Sequence, residues 1–248
     1  MARILMYHGI VDAAKSAVID REKGAELYDV KLEEFRKQLA WLKEQKYVLT
    51  MDISGREQEA VFTFDDGEKN NFNVVAPILQ DLKAFGYFFV IADRIGRDGY
   101  LSWEDLARMK MAGMVIGSHG LTHGILTSLS EDGIREELTK SKFILESNLR
   151  CHIDCLSIPR GFYDERVVKI AKEAGYQKIF VSDKRPGFSD GCYERIAVKN
   201  DWTIKEFAAA VSGKMGFKMR LFTILKLLVR RILGDKLYDL IRSVLLRK

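Results

Sequence analysis

Residues 61–67 read VFTFDDG, an apolar run that ends abruptly in Asp65, Asp66 and Gly67. A short run of apolar and β-branched residues closed by a glycine predicts a buried strand. In α/β folds the loops at the carboxyl ends of the strands converge, and the chemistry of these folds lies there. Two adjacent carboxylates are costly unless a cation compensates their charge, so this strand end is a candidate metal site.

A second apolar run, residues 114–123 (MVIGSHGLTH), ends in two histidines four residues apart, His119 and His123. Two imidazoles and one carboxylate can hold a catalytic metal and leave a position open for water. Each pattern also has an ordinary explanation, because Asp-Asp-Gly is a common turn sequence and His-x-x-x-His occurs by chance. Their occurrence after two predicted strands of one chain favours the metal site.

The chain of 248 residues is long enough for one large α/β domain, and two domains are also compatible with its length. Predicted strands alternate with amphipathic helices, and about seven strands can be recognised. This alternation predicts a mostly parallel sheet, either open or closed into a barrel. Periodicity alone does not separate these two architectures.

The positive net charge of the chain belongs to its C-terminal tail, residues 213–248. The whole chain carries +5, whereas the tail holds ten Lys or Arg and two Asp, a balance of +8. The other 212 residues therefore carry −3, which argues against a nucleic-acid surface on the main body.

The tail is both strongly apolar and basic. Residues 217–233 contain no acidic residue, Gly234 interrupts them, and residues 236–246 repeat the pattern. This composition predicts a pair of amphipathic helices lying on an anionic membrane surface. Packing of the tail against the main body or against a second subunit is the alternative.

The sequence also leads to an expectation about location. It shows neither a signal peptide nor an apolar run of about 18 residues, and its three cysteines lack a repeated spacing. We therefore expect a cytoplasmic protein with reduced thiols, bound peripherally to the inner face of the cell membrane.

Three motifs carry a resemblance to a known family. Residues 63–67 (TFDDG) and 118–123 (SHGLTH) are similar to the first two motifs of the polysaccharide deacetylase superfamily, carbohydrate esterase family 4 with its nodulation-deacetylase homology domain. Residues 158–164 (IPRGFYD) resemble the third motif. The similarity covers roughly residues 3–212, which predicts a catalytic domain over 1–212 and a separate tail over 213–248.

The resemblance implies a distorted (β/α)7-type barrel that hydrolyses an N-acetyl, or sometimes an O-acetyl, group on a sugar. By position, Asp66, His119 and His123 would hold one divalent metal, and Asp65 would be the general base. The metal would polarise the acetyl carbonyl and lower the pKa of its bound water, whose proton Asp65 takes. Zinc is favoured, and the same donors accept Co, Ni, Mn or Fe. The backbone N–H of Arg160 matches the family's oxyanion donor.

The chain departs from the family pattern at two positions. Ser157 stands where the third motif usually has an arginine that orients the base. Arg195 is a candidate replacement, and an ordinary surface arginine is the alternative. The family's late Leu-x-His acid is also absent, because no histidine follows His152.

His8 is the candidate acid in its place. Residues 5–10 (LMYHGI) are similar to the opening strand of a permuted branch of the family, which includes poly-N-acetylglucosamine deacetylases. In that branch a histidine at this position protonates the leaving amine. A structural histidine at the end of a strand is the alternative.

These expectations combine into a metal-dependent deacetylase that acts on an N-acetylated amino sugar of a glycan. A membrane-seeking tail suggests that this glycan is lipid-linked. Within enzymes, the alternatives are a deformylase or a hydrolase of a non-sugar amide. Outside enzymes, the alternative is an inactive sugar-binding or scaffold relative at the membrane.

Overall fold

The computed structural model describes residues 2–12, 21, 25–182 and 191–214, together with Gly234, Asp235, Leu237 and Ile241 of the tail. The strands are β1 (Arg3–Tyr7), β2 (Ile10–Val11), β3 (Val30–Lys31), β4 (Val48–Leu49), β5 (Glu59–Phe64), β6 (Gly86–Val90), β7 (Val115–Ser118), β8 (Cys155–Ser157), β9 (Lys178–Val181), β10 (Cys192–Glu194) and β11 (Ile196–Ala197). The α-helices are α1 (Leu32–Glu44), α2 (Ala76–Asp81), α3 (Trp103–Met111), α4 (Glu131–Leu149), α5 (Glu165–Glu173) and α6 (Ile204–Val211). A π-helical turn (Asn71–Val75) leads into α2.

The large sheet is parallel and follows the order β10-β9-β8-β7-β6-β5-β1-β11, with β4 paired to β5. Its two ends, β10 and β11, are separated in sequence by Arg195 alone. Arg195 N donates to Val181 O on β9, and Val198 N donates to Met6 O on β1. The last strand therefore bends at Arg195 and joins the two edges of the sheet. With β10 and β11 counted as one bent strand, the predicted (β/α)7-type barrel is confirmed.

Aromatic side chains fill the interior of the barrel. Tyr87 and Phe89 on β6 contact Phe180 on β9, with ring centroids 5.3 and 5.0 Å apart. Because two strands lie between β6 and β9 in the sheet, these contacts cross the interior. The alternate residues of the same strands, such as Phe88 on β6 and Ile179 on β9, belong to the larger cluster that packs against the helices.

The sequence predicts helix starts at Ser102, which Asp105 follows three residues later, and at Ser130, and both are confirmed. Ser102 accepts a hydrogen bond from Asp105 N, and the Asp105 carboxylate accepts one from Ser102 N, which completes a capping box at α3. Ser130 caps α4 by accepting from Gly133 N.

The predicted ends of the first strand and of the second helix were wrong. A strand was expected over residues 3–10, but β1 ends at Tyr7, and Ile10 pairs with Val30 in a separate two-stranded sheet. The helix expected over 73–85 ends at Asp81. Apolar residues continue past the end of both elements. Gly9 and Ile10 are buried beyond β1, whereas Leu82 and Phe85 keep the helical spacing beyond Asp81 although both are exposed, so the apolar pattern overran both ends.

Most of the tail lies outside the described residues. This includes the whole of the first predicted tail helix (217–233) and all of the second (236–246) except Leu237 and Ile241. Gly234, Asp235, Leu237 and Ile241 are helical. Among all described helices, none combines the length and the apolar character needed to cross a bilayer. The proposed division at residues 212 and 213 stays a prediction.

Candidate active site

The polar residues of the predicted site meet at the carboxyl-end edge of the barrel. In the parallel register Tyr7 pairs with Phe64, and Val90 pairs with Ser118. The residues that follow these pairs therefore leave the strands at one edge. The side chains brought to this edge are His8, Asp65, Asp66, His119, Ser157 and Arg195.

Asp66, His119 and His123 form a compact, buried triad. Asp66 Oδ1 lies 3.4 Å from His119 Nε2 and 3.5 Å from His123 Nε2. One ligand atom from each residue lies within 4.8 Å of the others. His119 Nδ1 is 2.9 Å from Ser157 O, a carbonyl that can only accept, so Nδ1 carries the proton and Nε2 offers its lone pair.

This donor set fits a divalent metal. Asp66 Oδ1 is buried and has no hydrogen-bond partner within the described part of the chain. Two imidazole nitrogens and one carboxylate oxygen are also the donors of catalytic sites that keep an open coordination position.

The charges around the triad also favour a bound cation. Burial opposes ionisation of Asp66, but the neighbouring imidazoles, led by His8, outweigh burial and hold the pKa of Asp66 well below its ordinary value. Burial lowers the pKa of His119, but Asp65 and Asp66 raise it by more, so the net shift is upward. A bound cation would supply positive charge beside these carboxylates, and imidazoles coordinate such a cation in their deprotonated form.

Asp65 is held by a buried arginine fork. Arg195 Nη1 donates to Asp65 Oδ1 at 2.7 Å, and Nη2 donates to Oδ2 at 2.8 Å. Ser157 Oγ donates to the same Oδ2 at 3.0 Å and accepts from Arg195 Nη2 at 2.8 Å. Burial raises the pKa of Asp65, but Arg195 and His119 outweigh burial and hold that pKa below its ordinary value. Asp65 is therefore an ionised carboxylate of fixed orientation.

Several site residues have a strained backbone. Asp66, His123 and Arg160 have φ angles of 73°, 67° and 57°. They account for three of the six non-glycine residues with positive φ among those described. Gly67 also has positive φ, and a Cβ there would lie 2.8 Å from Val90. Strain of this kind costs about 1–3 kcal/mol per residue and concentrates at functional sites.

His8 follows β1 and lies next to the Asp65–Asp66 pair, since Asp65 N donates to Tyr7 O at 2.9 Å. Its ring stacks on Tyr28, with centroids 4.7 Å apart. Burial lowers the pKa of His8, and the two aspartates oppose that shift only in part. His8 Nδ1 is buried without a hydrogen-bond partner among the residues that the structure describes.

Arg160 lies in a 3-10 turn (Pro159–Gly161) that Ile158 connects to β8. This turn abuts the loop of residues 119–123, hereafter the histidine loop, because a Cβ built on Gly120 would lie 3.0 Å from Pro159 Cγ. The structure thus brings Arg160 to the same edge of the barrel as the triad.

A sequence profile described as polysaccharide deacetylase matches residues 52–179, more than half of the chain. The chain belongs to the polysaccharide deacetylase family. YxkH of Bacillus subtilis, a relative named after the same family, is 30% identical over 184 residues, which are 70% of this chain and 62% of the relative. The peptidoglycan-N-acetylglucosamine deacetylase of Bacillus cereus is 29% identical over 135 residues, 54% of this chain and 61% of the relative.

A crystal structure of a polysaccharide deacetylase from Bacillus cereus has the same fold. It superposes with a TM-score of 0.71 at 26% identity and covers 85% of this chain and 68% of the other. This chain spans about three fifths of the length of the two curated relatives named above.

Two contributions to this candidate site were not predicted from the sequence. Ser157 was noted as a departure from the third motif, but its hydroxyl bridges Arg195 and Asp65. Glu137 on α4 is buried and accepts hydrogen bonds from the histidine loop. Its signal in the sequence is a carboxylate on the apolar face of α4, beside the buried Ile134 and Leu138.

A third unpredicted feature is an ion-pair cluster that holds the segment covering His8. Arg21 donates to both oxygens of Asp29 at 2.7 and 2.8 Å, and its Nη2 lies 2.9 Å from Glu68 Oε1. Asp29 follows Tyr28, whose ring stacks on His8, and Glu68 follows the Asp-Asp-Gly turn. The cluster thus links the segment whose Tyr28 ring stacks on His8 to the loop that carries Asp66.

Proposed function

We propose that this chain is a metal-dependent hydrolase that removes an N-acetyl group from an amino sugar of a glycan. The observation that carries the proposal is the Asp66–His119–His123 triad beside a carboxylate, Asp65, that is held ionised. Membership of the polysaccharide deacetylase family supports a glycan substrate. The relative that acts on N-acetylglucosamine of peptidoglycan supports an N-acetyl group.

The triad, Asp65, Arg160 and His8 each have a role in this reaction. A divalent ion held by the triad would supply Lewis acidity toward the acyl carbonyl. Asp65 accepts a proton from the attacking water, whose oxygen forms the new bond to the acyl carbon. The backbone N–H of Arg160 donates to the oxyanion. His8 protonates the sugar nitrogen as the C–N bond breaks, and the products are acetate and a free amine.

Zinc is the metal that we propose for this site. Two neutral imidazoles, one carboxylate and an open position suit Zn²⁺ with its coordinated water. Co, Ni, Mn and Fe accept the same donors, and availability decides among them.

We further propose that the substrate is lipid-linked and that the protein binds the inner face of the cell membrane through residues 213–248. The charge balance of +8 in this tail supports the idea. Leu237 and Ile241, one helical turn apart, are 46% and 38% exposed. Thr127 Oγ1 donates to Asp235 Oδ2 at 2.7 Å, which ties this part of the tail to the segment that follows the histidine loop. A bilayer under the tail would then lie close to the active-site edge.

Metal content and acetate release test the enzymatic proposal together. We expect about one tightly held metal per wild-type chain, none in the His119→Ala/His123→Ala double variant, and acetate release from N-acetylated sugars by the wild type alone. Metal without acetate release would redirect the substrate search to formyl groups, other amides or lipid-linked sugars. A wild-type protein that holds no metal after reconstitution would overturn the mechanism.

A further inference from the structure

The histidine loop carries two of the three triad residues. Both carbonyl groups and N–H groups of this loop are hydrogen-bonded to other parts of the chain. Its carbonyl groups accept from the segment after β6, since Ala92 N donates to Gly120 O and Asp93 N donates to Leu121 O, both at 3.1 Å. These bonds satisfy two carbonyl groups of the loop. The amide groups of the loop therefore need separate acceptors.

Glu137 on α4 provides those acceptors. Its Oε2 accepts from Leu121 N at 3.0 Å and from Thr122 N at 3.1 Å, and its Oε1 accepts from Thr122 Oγ1 at 2.6 Å. The Glu137 residue is 8% exposed. A buried carboxylate is costly unless donors compensate it, so these three hydrogen bonds fix the side chain and the loop relative to each other.

The loop needs such support because its backbone is strained. Gly120 and His123 have φ angles of 77° and 67°, and a β-carbon at Gly120 would already lie close to Pro159. Left-handed backbone at a histidine persists only where the surroundings enforce it. The two consecutive N–H groups bound by Glu137 directly precede His123 in sequence.

We infer that Glu137 is a positioning residue that presets His123 as a metal ligand. The carboxylate acts through the backbone of the loop and lies outside the triad itself. This inference rests on the proposed metal site and deepens it. Partners that orient metal ligands typically change metal affinity by about 10–100-fold when removed.

The test measures metal affinity directly. The dissociation constant for Zn²⁺ is determined by chelator competition for the wild type, Glu137→Ala and Glu137→Gln, and the visible spectrum of the Co²⁺ form reports the ligand geometry. We expect Glu137→Ala to weaken Zn²⁺ binding by about 10–100-fold and to alter the Co²⁺ spectrum. Glu137→Gln keeps an acceptor oxygen for the two N–H groups, so it should retain most of the affinity.

Glu136→Ala is the matched control, because Glu136 is the neighbouring residue and its side chain is 58% exposed. The decisive comparison uses the His123→Ala background. A residue that acts through His123 should cause no further loss of affinity there, whereas general loosening of the site would add to the loss. Thermal unfolding of the metal-free proteins shows whether each variant is folded, and Glu137→Asp replaces Glu137→Ala if the latter is not.

Wild-type affinity in a folded Glu137→Ala or Glu137→Asp protein would overturn the inference. An undiminished additional loss in the His123→Ala background would overturn it as well. Failure of the wild type itself to bind metal would instead overturn the proposed function, so the two failures are distinguishable.

Discussion

Asp65 lies in an environment that a carboxylate tolerates only with a full set of partners. Its side chain is 3% exposed, and that of Arg195 is 0% exposed. The guanidinium also lies 5.7 Å from the ring centroid of Phe89 and 5.9 Å from that of Phe180. Buried ion pairs add little net stability, but loss of one partner leaves an uncompensated charge. We therefore attribute the Asp65–Arg195 pair to the need for an ionised base of fixed orientation, and not to a gain in stability.

Replacement of Arg195 by Met should therefore affect both stability and activity. We expect the free energy of unfolding to fall by about 3–5 kcal/mol, because Asp65 loses its counter-charge. We expect kcat to fall on the order of 10²-fold. The pKa of Asp65 would rise, and since the base must be ionised, activity would be lost at a higher pH as the solution is acidified. Urea unfolding and a pH–rate profile measure these effects.

Ser157→Ala is the control for this experiment. It removes one hydrogen bond from Asp65 and leaves both bonds from Arg195 in place, so its effects should be much smaller. Equal losses in the two variants would contradict the assignment of the arginine as the residue that holds the base.

His8 can be tested through the chemistry of the leaving group. An amine leaves poorly without a proton, whereas a nitrophenolate leaves without one. His8→Ala should therefore lower kcat for an N-acetylated sugar by about 10²–10⁴-fold and have little effect on nitrophenyl acetate. An equal loss on both substrates would favour a structural role for this histidine.

At the scale of elements, the cap of α3 is connected to the active-site loop. The Asp105 carboxylate accepts from Ser102 N and Ser102 Oγ at 2.7 and 2.6 Å, and from Lys69 Nζ at 2.6 Å. Lys69 lies on the loop that continues from the Asp-Asp-Gly turn. The capping box of α3 therefore also anchors this loop.

Asp105→Asn should lower the free energy of unfolding by about 1–2 kcal/mol at pH 7. Burial opposes ionisation of Asp105, but Lys69 and Ser102 outweigh burial and hold its pKa below the ordinary 3.8. A lowered pKa in the folded state gives stability that is present above pH 3.8 and is lost as the pH falls through the folded pKa. The difference between variant and wild type should therefore shrink below pH 3.8 in urea titrations.

Asp132→Asn serves as the comparison, because Asp132 lies exposed in the first turn of α4 and its helix is capped by Ser130. Only a helix-dipole contribution of about 0.3–1 kcal/mol is expected there. A difference for Asp105→Asn that does not change between pH 7 and pH 3 would contradict the role of its charge.

At the scale of the whole molecule, closure of the barrel assembles the site. β10 and β11 lie at opposite ends of the sheet order, and the residue between them, Arg195, reaches Asp65, which directly follows β5. Removal of the closing strand would therefore remove the partner of the base. The tail, residues 213–248, follows α6, and its proposed membrane role is tested separately.

Truncation at Gly213 should abolish binding to anionic vesicles and leave turnover of a small soluble substrate unchanged. Each Lys or Arg near an anionic lipid surface contributes roughly 1 kcal/mol, and salt weakens this attraction. Co-sedimentation with phosphatidylserine vesicles measures the binding, and neutral phosphatidylcholine vesicles are the control. Full binding by the truncated protein would refute the membrane role of residues 213–248.

The sequence by itself determined the features that depend on near neighbours. Apolar runs that alternate with helical patterns predicted the strands of the barrel. The caps at Ser102 and Ser130 were recognised because a capping bond spans only three residues. The Asp-Asp-Gly and His-x-x-x-His patterns identified the residues that the structure gathers into the triad.

The tertiary structure alone decided which distant side chains meet. The Arg195–Asp65 pair joins residues 130 positions apart, and it forms because the sheet closes into a barrel, which periodicity cannot distinguish from an open sheet. The sequence places the Glu137 carboxylate on the apolar face of α4, but its partners are decided only when α4 packs against the histidine loop. Local patterns record burial and capping, whereas these contacts depend on how the chain packs across the whole barrel.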